Sequence, residues 1–173
     1  MTTTVTRRTH PSPLGTLTLV ASDAGLRAVL FPEERPGRVV IVEADAESEA
    51  APEGRLELLE RTARQLDEYF AGDRHEFDLE LDPVGTPFQL RAWEALRRIP
   101  YGATGTYGEQ AVRMGSPSAV RAVGAANGRN PISIIVPCHR VVGADGTLTG
   151  YAGGMDAKRF LLDLEAGERR LFG

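Results

Sequence analysis

The five residues at positions 82–86, Asp-Pro-Val-Gly-Thr, divide the chain into two stretches with different hydrophobic periodicity. Before them, short strand-like runs surround a single long helical pattern, whereas helical spacing dominates after them. Proline and glycine this close together are typical of a connection between folded units. The length of 173 residues suits one domain or two small ones. We therefore predict a mixed α/β domain over residues 1–83 and a mainly α domain over residues 84–173.

The N-terminal stretch has the elements of a small sheet covered by a helix. Residues 16–31 read as two strands around the turn Asp-Ala-Gly, which predicts a hairpin. The other predicted elements are strands at 38–43 and 77–81, an acidic surface loop at 44–54, and a helix at 55–72.

The C-terminal stretch begins with Thr86 and Pro87, a good N-cap and first-turn pair for a helix over 87–99. Three further helices are predicted, at 107–115, 118–128 and 156–167. The two short helices that meet at 113–118 resemble a helix-turn-helix. Small residues dominate the second of them, which suits tight helix packing and close approach to another backbone equally well.

Charge is distributed unevenly between the two halves. The whole chain has a net charge of −4, but residues 1–83 carry −8 and residues 84–173 carry +4. A polyanion that binds only the second half would explain this asymmetry. An acidic face that merely keeps the protein soluble explains it as well.

Several classes of protein are disfavoured by composition. There is no run of about 18 apolar residues that would cross a membrane, and the first fifteen residues lack the apolar core of a secretory signal. Cys138 is the only cysteine, so the chain has no internal disulfide and no cysteine-rich zinc site. We expect no metal and no cofactor. A lone thiol fits the reducing cytoplasm.

Cys138 stands in the sequence Val-Pro-Cys-His-Arg, after an apolar run at 132–136 that reads as a buried strand. A free cysteine is usually an inert, buried apolar residue. An unperturbed thiol is only about 3% thiolate at pH 7, so a nucleophilic role needs a nearby base. His139 is adjacent, but neighbouring side chains on a strand point to opposite faces. A contact between Cys138 and His139 therefore requires a turn, which Pro137 would favour, or a bridging water.

The wider stretch from 130 to 154, NPISIIVPCHRVVGADGTLTGYAGG, resembles the active-site signature of the O6-alkylguanine-DNA alkyltransferases. The similarity extends over about residues 84–167. It implies a ribonuclease-H-like N-terminal domain and a winged-helix-like C-terminal domain that contains the helix-turn-helix. The implied activity is DNA repair by irreversible, single-turnover transfer of an alkyl group to the cysteine. The implied partner is double-stranded DNA with an alkylated guanine, bound by a monomer.

The resemblance assigns roles to individual residues. Cys138 is the alkyl acceptor, His139 takes its proton through a water, and Glu165 orients His139. Asn130 steadies the site, and Tyr107 donates a proton or hydrogen bond to the leaving guanine. The residues that would contact DNA or the flipped base are Arg121, which fills the gap in the base stack, Ala122 and Ala125 on the same helix, and Val141, Tyr151 and Lys158 around the pocket.

Each assignment has an ordinary structural alternative. Tyr107 is equally compatible with a core position, Glu165 with an ion pair to Arg169, and Asn130 with a turn before Pro131. Ala152 stands where some relatives have a hydroxyl residue, which leaves the guanine oxygen to backbone amides. Two other functions stay open, a thiol hydrolase that uses Cys138, His139 and Glu165, and a non-enzymatic sensor of alkylated DNA.

Overall fold

The computed structural model of the protein describes residues 4–45 and 51–167. Its N-terminal part holds four strands, β1 (Thr4–His10), β2 (Leu17–Ala21), β3 (Leu26–Leu30) and β4 (Ala44–Asp45), in the order β3-β2-β1-β4. Strands β2 and β3 are antiparallel, which confirms the predicted hairpin. Helix α1 (Glu53–Phe70) packs on β1 and β2, has Leu59 and Leu66 buried in the core, and confirms the predicted helix. Part of the predicted acidic loop, residues 46–50, lies outside the described residues.

Two strand predictions in this part are wrong. Residues 38–43 are irregular, with Arg38 buried and with Val40 and Val42 68% and 82% exposed, so the apolar run is not the buried strand that was expected. Of residues 77–81, only Leu81 forms a bridge, to Leu26, where the backbone of Leu26 bonds Glu80 and Asp82. Strand β1 was not predicted, because its residues are mostly threonine and arginine and show no alternation of apolar and polar side chains.

The second part is built on four helices, α2 (Pro87–Leu96), α3 (Tyr107–Arg113), α4 (Val120–Asn127) and α5 (Met155–Ala166). All four predicted helices are confirmed, with ends that differ by a few residues. A capping box between Thr86 and Gln89 begins α2. Gly167, with a φ of 47°, ends α5 in a conformation that favours glycine. The short parallel strands β5 (Gly105–Thr106) and β6 (Val141–Val142) join the helix pair to the site.

Helices α3 and α4 are held by buried amide groups. Gln110 and Asn127 exchange side-chain hydrogen bonds of 2.9 and 2.8 Å, and Gln110 also donates to the carbonyl of Ala92 on α2. The indole of Trp93 donates to the carbonyl of Ala126 at 2.8 Å. Because buried polar groups are costly when unpaired, these bonds fix the helix pair against α2.

The apolar run at 132–136 is buried but is not a strand, so this prediction is wrong. It forms a tight turn in which Ile134 has a φ of 75°. Val29 of β3 bonds the backbone of Pro131, which attaches this turn to the edge of the sheet. One apolar core therefore includes residues from both halves, such as Leu26, Trp93 and Ile132. Among the described residues, no helix combines the length and the apolar character needed to cross a membrane.

Candidate active site

Cys138 begins a 3-10 helix, Cys138–Arg140, directly after Pro137. The cysteine therefore lies in a helical turn and not on a strand. Successive side chains on a 3-10 helix are about 120° apart, so Cys138 and His139 do not point to opposite faces. The residue is 8% exposed. The thiol is therefore almost completely buried, and it lies in the turn that Pro137 was expected to favour.

The side chain of Asn130 fixes one side of the thiol. Its Nδ2 atom lies 3.3 Å from Sγ of Cys138 and also donates to the carbonyl of Val136 at 2.8 Å. Its Oδ1 atom accepts from the amide of Ile132 at 3.0 Å. These three contacts set the orientation of a fully buried amide, so an N–H group points at the sulfur.

His139 and Glu165 form a buried pair behind the thiol. Nε2 of His139 lies 2.7 Å from Oε2 of Glu165, and both side chains are almost completely enclosed. Arg140 also holds this carboxylate, through Nε at 2.7 Å and Nη2 at 3.0 Å. The Nδ1 atom of His139 is buried without a partner among the described residues.

Burial and hydrogen bonding set the charge states of this group. Burial alone would raise the pKa of Glu165, but the hydrogen bonds from His139 and Arg140 outweigh it and lower that pKa to about 2. Burial lowers the pKa of His139, against the opposing effect of Glu165. Burial also raises the pKa of Cys138, although Asn130, Arg38 and Lys158 oppose it. At neutral pH the site therefore rests as a thiol, a neutral imidazole and a carboxylate.

Two partners of Glu165 were missed by the sequence analysis. Tyr69 of α1 reaches Oε2 through its hydroxyl at 2.6 Å, and Arg140 binds Oε1 through Nε at 2.7 Å. Arg169, the alternative partner considered for Glu165, lies outside the described residues. Arg140 stands within the recognised signature and next to His139, so its position was a usable signal. Nothing in the local pattern around Tyr69 distinguishes it from an ordinary core aromatic residue.

Arg38, from the loop after β3, was also missed. Its buried guanidinium donates to the carbonyls of Asn130 and Gly128 at 2.8 and 3.2 Å, and Glu34 holds it from the other side. The loop thereby supports the backbone of Asn130, the residue that touches the thiol.

A second set of polar groups surrounds Thr149. The hydroxyls of Tyr107 and Thr149 lie 2.5 Å apart. The ammonium of Lys158, buried on α5, donates to the carbonyl of Val141 at 2.6 Å and to both oxygens of Thr149 at 3.2 and 3.3 Å. Burial lowers the pKa of Lys158. Thr149 was not singled out in the sequence, yet it links two residues that were.

Tyr151 borders the site on the side of the N-terminal sheet. Its ring meets those of Phe31 and His139 edge-on, with centroids 5.5 and 6.3 Å apart. A cavity of about 430 Å³ opens beside it, between Phe31 and the loop that contains Ala152. Tyr151 therefore separates this cavity from the His139–Glu165 pair.

The three residues predicted on the second short helix lie elsewhere. Arg121, Ala122 and Ala125 are exposed on one side of α4, while Val123 and Ala126 are buried on the other. The predicted residues thus lie in three places, which are the buried network around Cys138, the polar group around Thr149 and the accessible face of α4.

Comparisons with known proteins agree across the chain. Residues 5–83 match the ribonuclease-like domain of 6-O-methylguanine DNA methyltransferase, and residues 87–167 match the DNA binding domain of the same family. The methylated-DNA–protein-cysteine methyltransferase of Methanosarcina acetivorans is 49% identical over 154 residues, which cover 89% of this chain and 94% of the relative. The Mycobacterium tuberculosis enzyme of that name is 64% identical over 101 residues, or 58% of this chain and 61% of the relative.

Solved structures give the same result. The crystal structure of Mycobacterium tuberculosis OGT in complex with DNA has a TM-score of 0.79 and 44% identity, and the match covers 98% of this chain and 99% of that one. Both halves of the chain and the fold as a whole therefore lead to one conclusion. The chain belongs to the methylated-DNA–protein-cysteine methyltransferase family of DNA-repair alkyltransferases.

Proposed function

We propose that this protein repairs DNA by transferring the alkyl group of an O6-alkylguanine irreversibly to Cys138. The sulfur forms a bond to the alkyl carbon while the bond between that carbon and the guanine oxygen breaks. The electron pair of the broken bond stays on guanine, which gains one proton as the thiol loses one. The observation that carries the proposal is the buried Cys138, held by Asn130 beside the His139–Glu165 pair, in a chain of this family.

The thiol proton passes to His139. Because Nε2 is engaged with Glu165, we assign the proton of the neutral ring to Nε2, and Nδ1 is then the free acceptor. Nδ1 is buried and has no hydrogen-bond partner among residues 4–45 and 51–167, a position where a bridging water is expected. The imidazolium that forms is stabilised by the ionised Glu165, and the N–H group of Asn130 stabilises the developing thiolate.

Tyr107 supplies the proton or hydrogen bond that the leaving guanine needs. In the Tyr107–Thr149 contact we assign the donor role to Thr149, whose oxygen also accepts from Lys158. The hydrogen of Tyr107 is then available to the base. Lys158 also fixes the carbonyl of Val141, which together with Tyr151 forms the wall of the base pocket. With alanine at position 152, backbone amides bind the guanine oxygen.

DNA is bound by the exposed face of α4. A reactive carbon inside a duplex is out of reach, so the damaged nucleotide has to be flipped into the pocket. Ala122 and Ala125 allow α4 to approach the minor groove closely, and Arg121 fills the gap that the flipped base leaves. This proposal keeps residues 84–173 as the unit that binds DNA and carries the thiol.

The proposed form is a monomer that acts in the cytoplasm. Every residue used in the reaction scheme comes from one copy of the chain. A reducing compartment keeps the single thiol free for its reaction.

The test is an intact-mass measurement after incubation with a duplex that contains O6-methylguanine. We expect one methyl group per chain, none on Cys138→Ser, and no further repair by the methylated protein, because the cysteine thiolate is a poor leaving group from the thioether that has formed. Absence of the methyl adduct on the unaltered protein would overturn the proposal. Repeated turnover of an ester or amide without DNA would support the Cys138–His139–Glu165 hydrolase instead.

A further inference from the structure

Tyr69 belongs to the N-terminal part of the chain, yet it contacts the centre of the site. Its hydroxyl lies 2.6 Å from Oε2 of Glu165, across 96 residues of sequence. The same oxygen faces Nε2 of His139 at 2.7 Å and Nη2 of Arg140 at 3.0 Å. Three side chains therefore share one carboxylate oxygen in a fully enclosed space.

Tyr69 is the donor in this contact. Glu165 is ionised in the neutral range, so its oxygen can only accept. Burial and the adjacent Glu165 charge raise the pKa of Tyr69, which keeps the phenol protonated. The bond between them is charge-assisted and persists at every pH at which the protein would act.

The ring of Tyr69 has no freedom to move away. It is fully buried, and its centroid lies 5.4 Å from Phe70, 5.4 Å from Phe77 and 6.2 Å from Tyr101. Helix α1 thus presents a hydroxyl in a fixed position to the carboxylate on α5. A freely rotating group would supply the hydrogen bond without fixing the carboxylate.

We propose that Tyr69 is a positioning residue for alkyl transfer, which holds Glu165 against His139 and limits how strongly that carboxylate attracts a proton. The inference rests on the proposed function, since the reaction it tunes is the transfer to Cys138. It gives the N-terminal part a direct share in the chemistry.

Loss of this hydroxyl has two effects with the same sign. A carboxylate that loses a donor holds its proton more readily, so the pKa of Glu165 rises. Its oxygen also becomes a stronger acceptor for Nε2 of His139, so the pKa of His139 rises too. Since transfer needs a neutral His139 and an ionised Glu165, both effects move the acid limb of the pH–rate curve to higher pH. Among the described residues, the other charged groups that act on this pair are Arg140 and Lys158, while Tyr101 and Tyr151 nearby are neutral phenols whose own pKa values are raised by burial and by Glu165.

The experiment compares Tyr69→Phe with Tyr101→Phe. Tyr101 is a matched control, because its hydroxyl contacts the same helix through the carbonyl of Leu164 at 3.4 Å and does not bond Glu165. The rate of transfer from the free base O6-benzylguanine is measured against pH, together with the melting temperature. For Tyr69→Phe we expect an acid limb about one pH unit higher and a roughly three- to tenfold lower rate at neutral pH, as for the loss of a hydrogen bond to a charged group. Tyr101→Phe should lower the melting temperature at most and leave the acid limb in place.

A second measurement does not depend on the folding of Tyr69→Phe. 3-Fluorotyrosine inserted at position 69 alone is a stronger donor of nearly the same size, and it should move the acid limb to lower pH. If neither replacement shifts the limb, or if Tyr101→Phe shifts it equally, the inference is wrong. If the unaltered protein does not react with O6-benzylguanine or with the damaged duplex, the proposed function fails instead.

Discussion

The network around Cys138 and the outer face of α4 differ in almost every physical respect. Around Cys138, Glu165 accepts hydrogen bonds from Tyr69, His139 and Arg140, and all of these groups are buried. On α4, Arg121, Ala122 and Ala125 face outward and present mostly methyl groups. The chemical step needs charges in fixed positions and shielded from solvent. Binding a duplex needs an accessible surface with short side chains that can approach the DNA closely. Substitutions in the two regions should therefore change different observables.

The largest effect is expected for Glu165→Gln, which leaves the face of α4 untouched. Without the carboxylate the imidazolium of His139 is not stabilised, so the thiol transfers its proton less readily. We expect transfer to fall by about 10²-fold or more, the usual range for a lost general-base system. The rate should then keep rising with pH, as the thiol ionises directly instead of through His139.

The rate is measured on the free base and on the duplex, with DNA affinity determined separately. Both rates should fall equally at unchanged affinity. A normal rate on either substrate would mean that Glu165 has only a structural role.

Arg121→Ala is the reverse experiment, because it changes the face of α4 and not the buried network. Base flipping costs a few kcal/mol, part of which the inserted side chain recovers. We expect transfer from duplex DNA to fall by about 10- to 100-fold, while transfer from free O6-benzylguanine stays within about twofold. Arg64→Ala, an exposed position on α1, removes the same charge elsewhere and serves as the control. Equal losses on both substrates would place Arg121 within the chemistry and remove the distinction between the two regions.

A smaller and mixed effect is expected for Arg38→Met, since Arg38 supports the network through the backbone. The change removes the guanidinium from Glu34 and from the carbonyls of Asn130 and Gly128, although Glu34 keeps the amide of Phe31. Because Glu34 is partly exposed, the cost should lie below the about 3–5 kcal/mol of a fully buried ion pair. The pKa of Cys138 should also rise further, because the guanidinium charge lowers it. Thermal melting and the free-base rate measure the two effects, with Arg35→Met in the same loop as the control. Unchanged melting would contradict the support assigned to Arg38.

What the sequence predicted depended on how local the signal was. The hairpin, the helices and the caps at Thr86 and Gly167 follow from patterns within a few residues. The residues of the recognised signature were found by resemblance, and their roles remain predictions. The segment at 38–43 looked like a strand because residues 39–42 are a run of valine and isoleucine, but the sequence does not show that Val40 and Val42 are exposed.

Residues that act across the fold were not predictable in this way. Tyr69 meets Glu165 across 96 residues, and Arg38 meets Asn130 across 92. Such contacts arise only when α1 and the loop after β3 pack on the second half. The turn at 132–136 was not predictable for a different reason, because an apolar run fits a buried turn as well as a strand.

The composition of α4 has a consequence for how the protein moves along DNA. Arg121 is the one charged residue in Val120–Asn127. The affinity for a duplex falls as the salt concentration rises. It falls more steeply when more phosphates are neutralised, because each neutralised phosphate releases counterions. Under the proposed function, a helix face with a single charge adds little to this salt dependence by itself, so the other basic side chains of residues 84–173 would set it. The face of α4 would then allow close approach to a groove without holding the protein at undamaged sites.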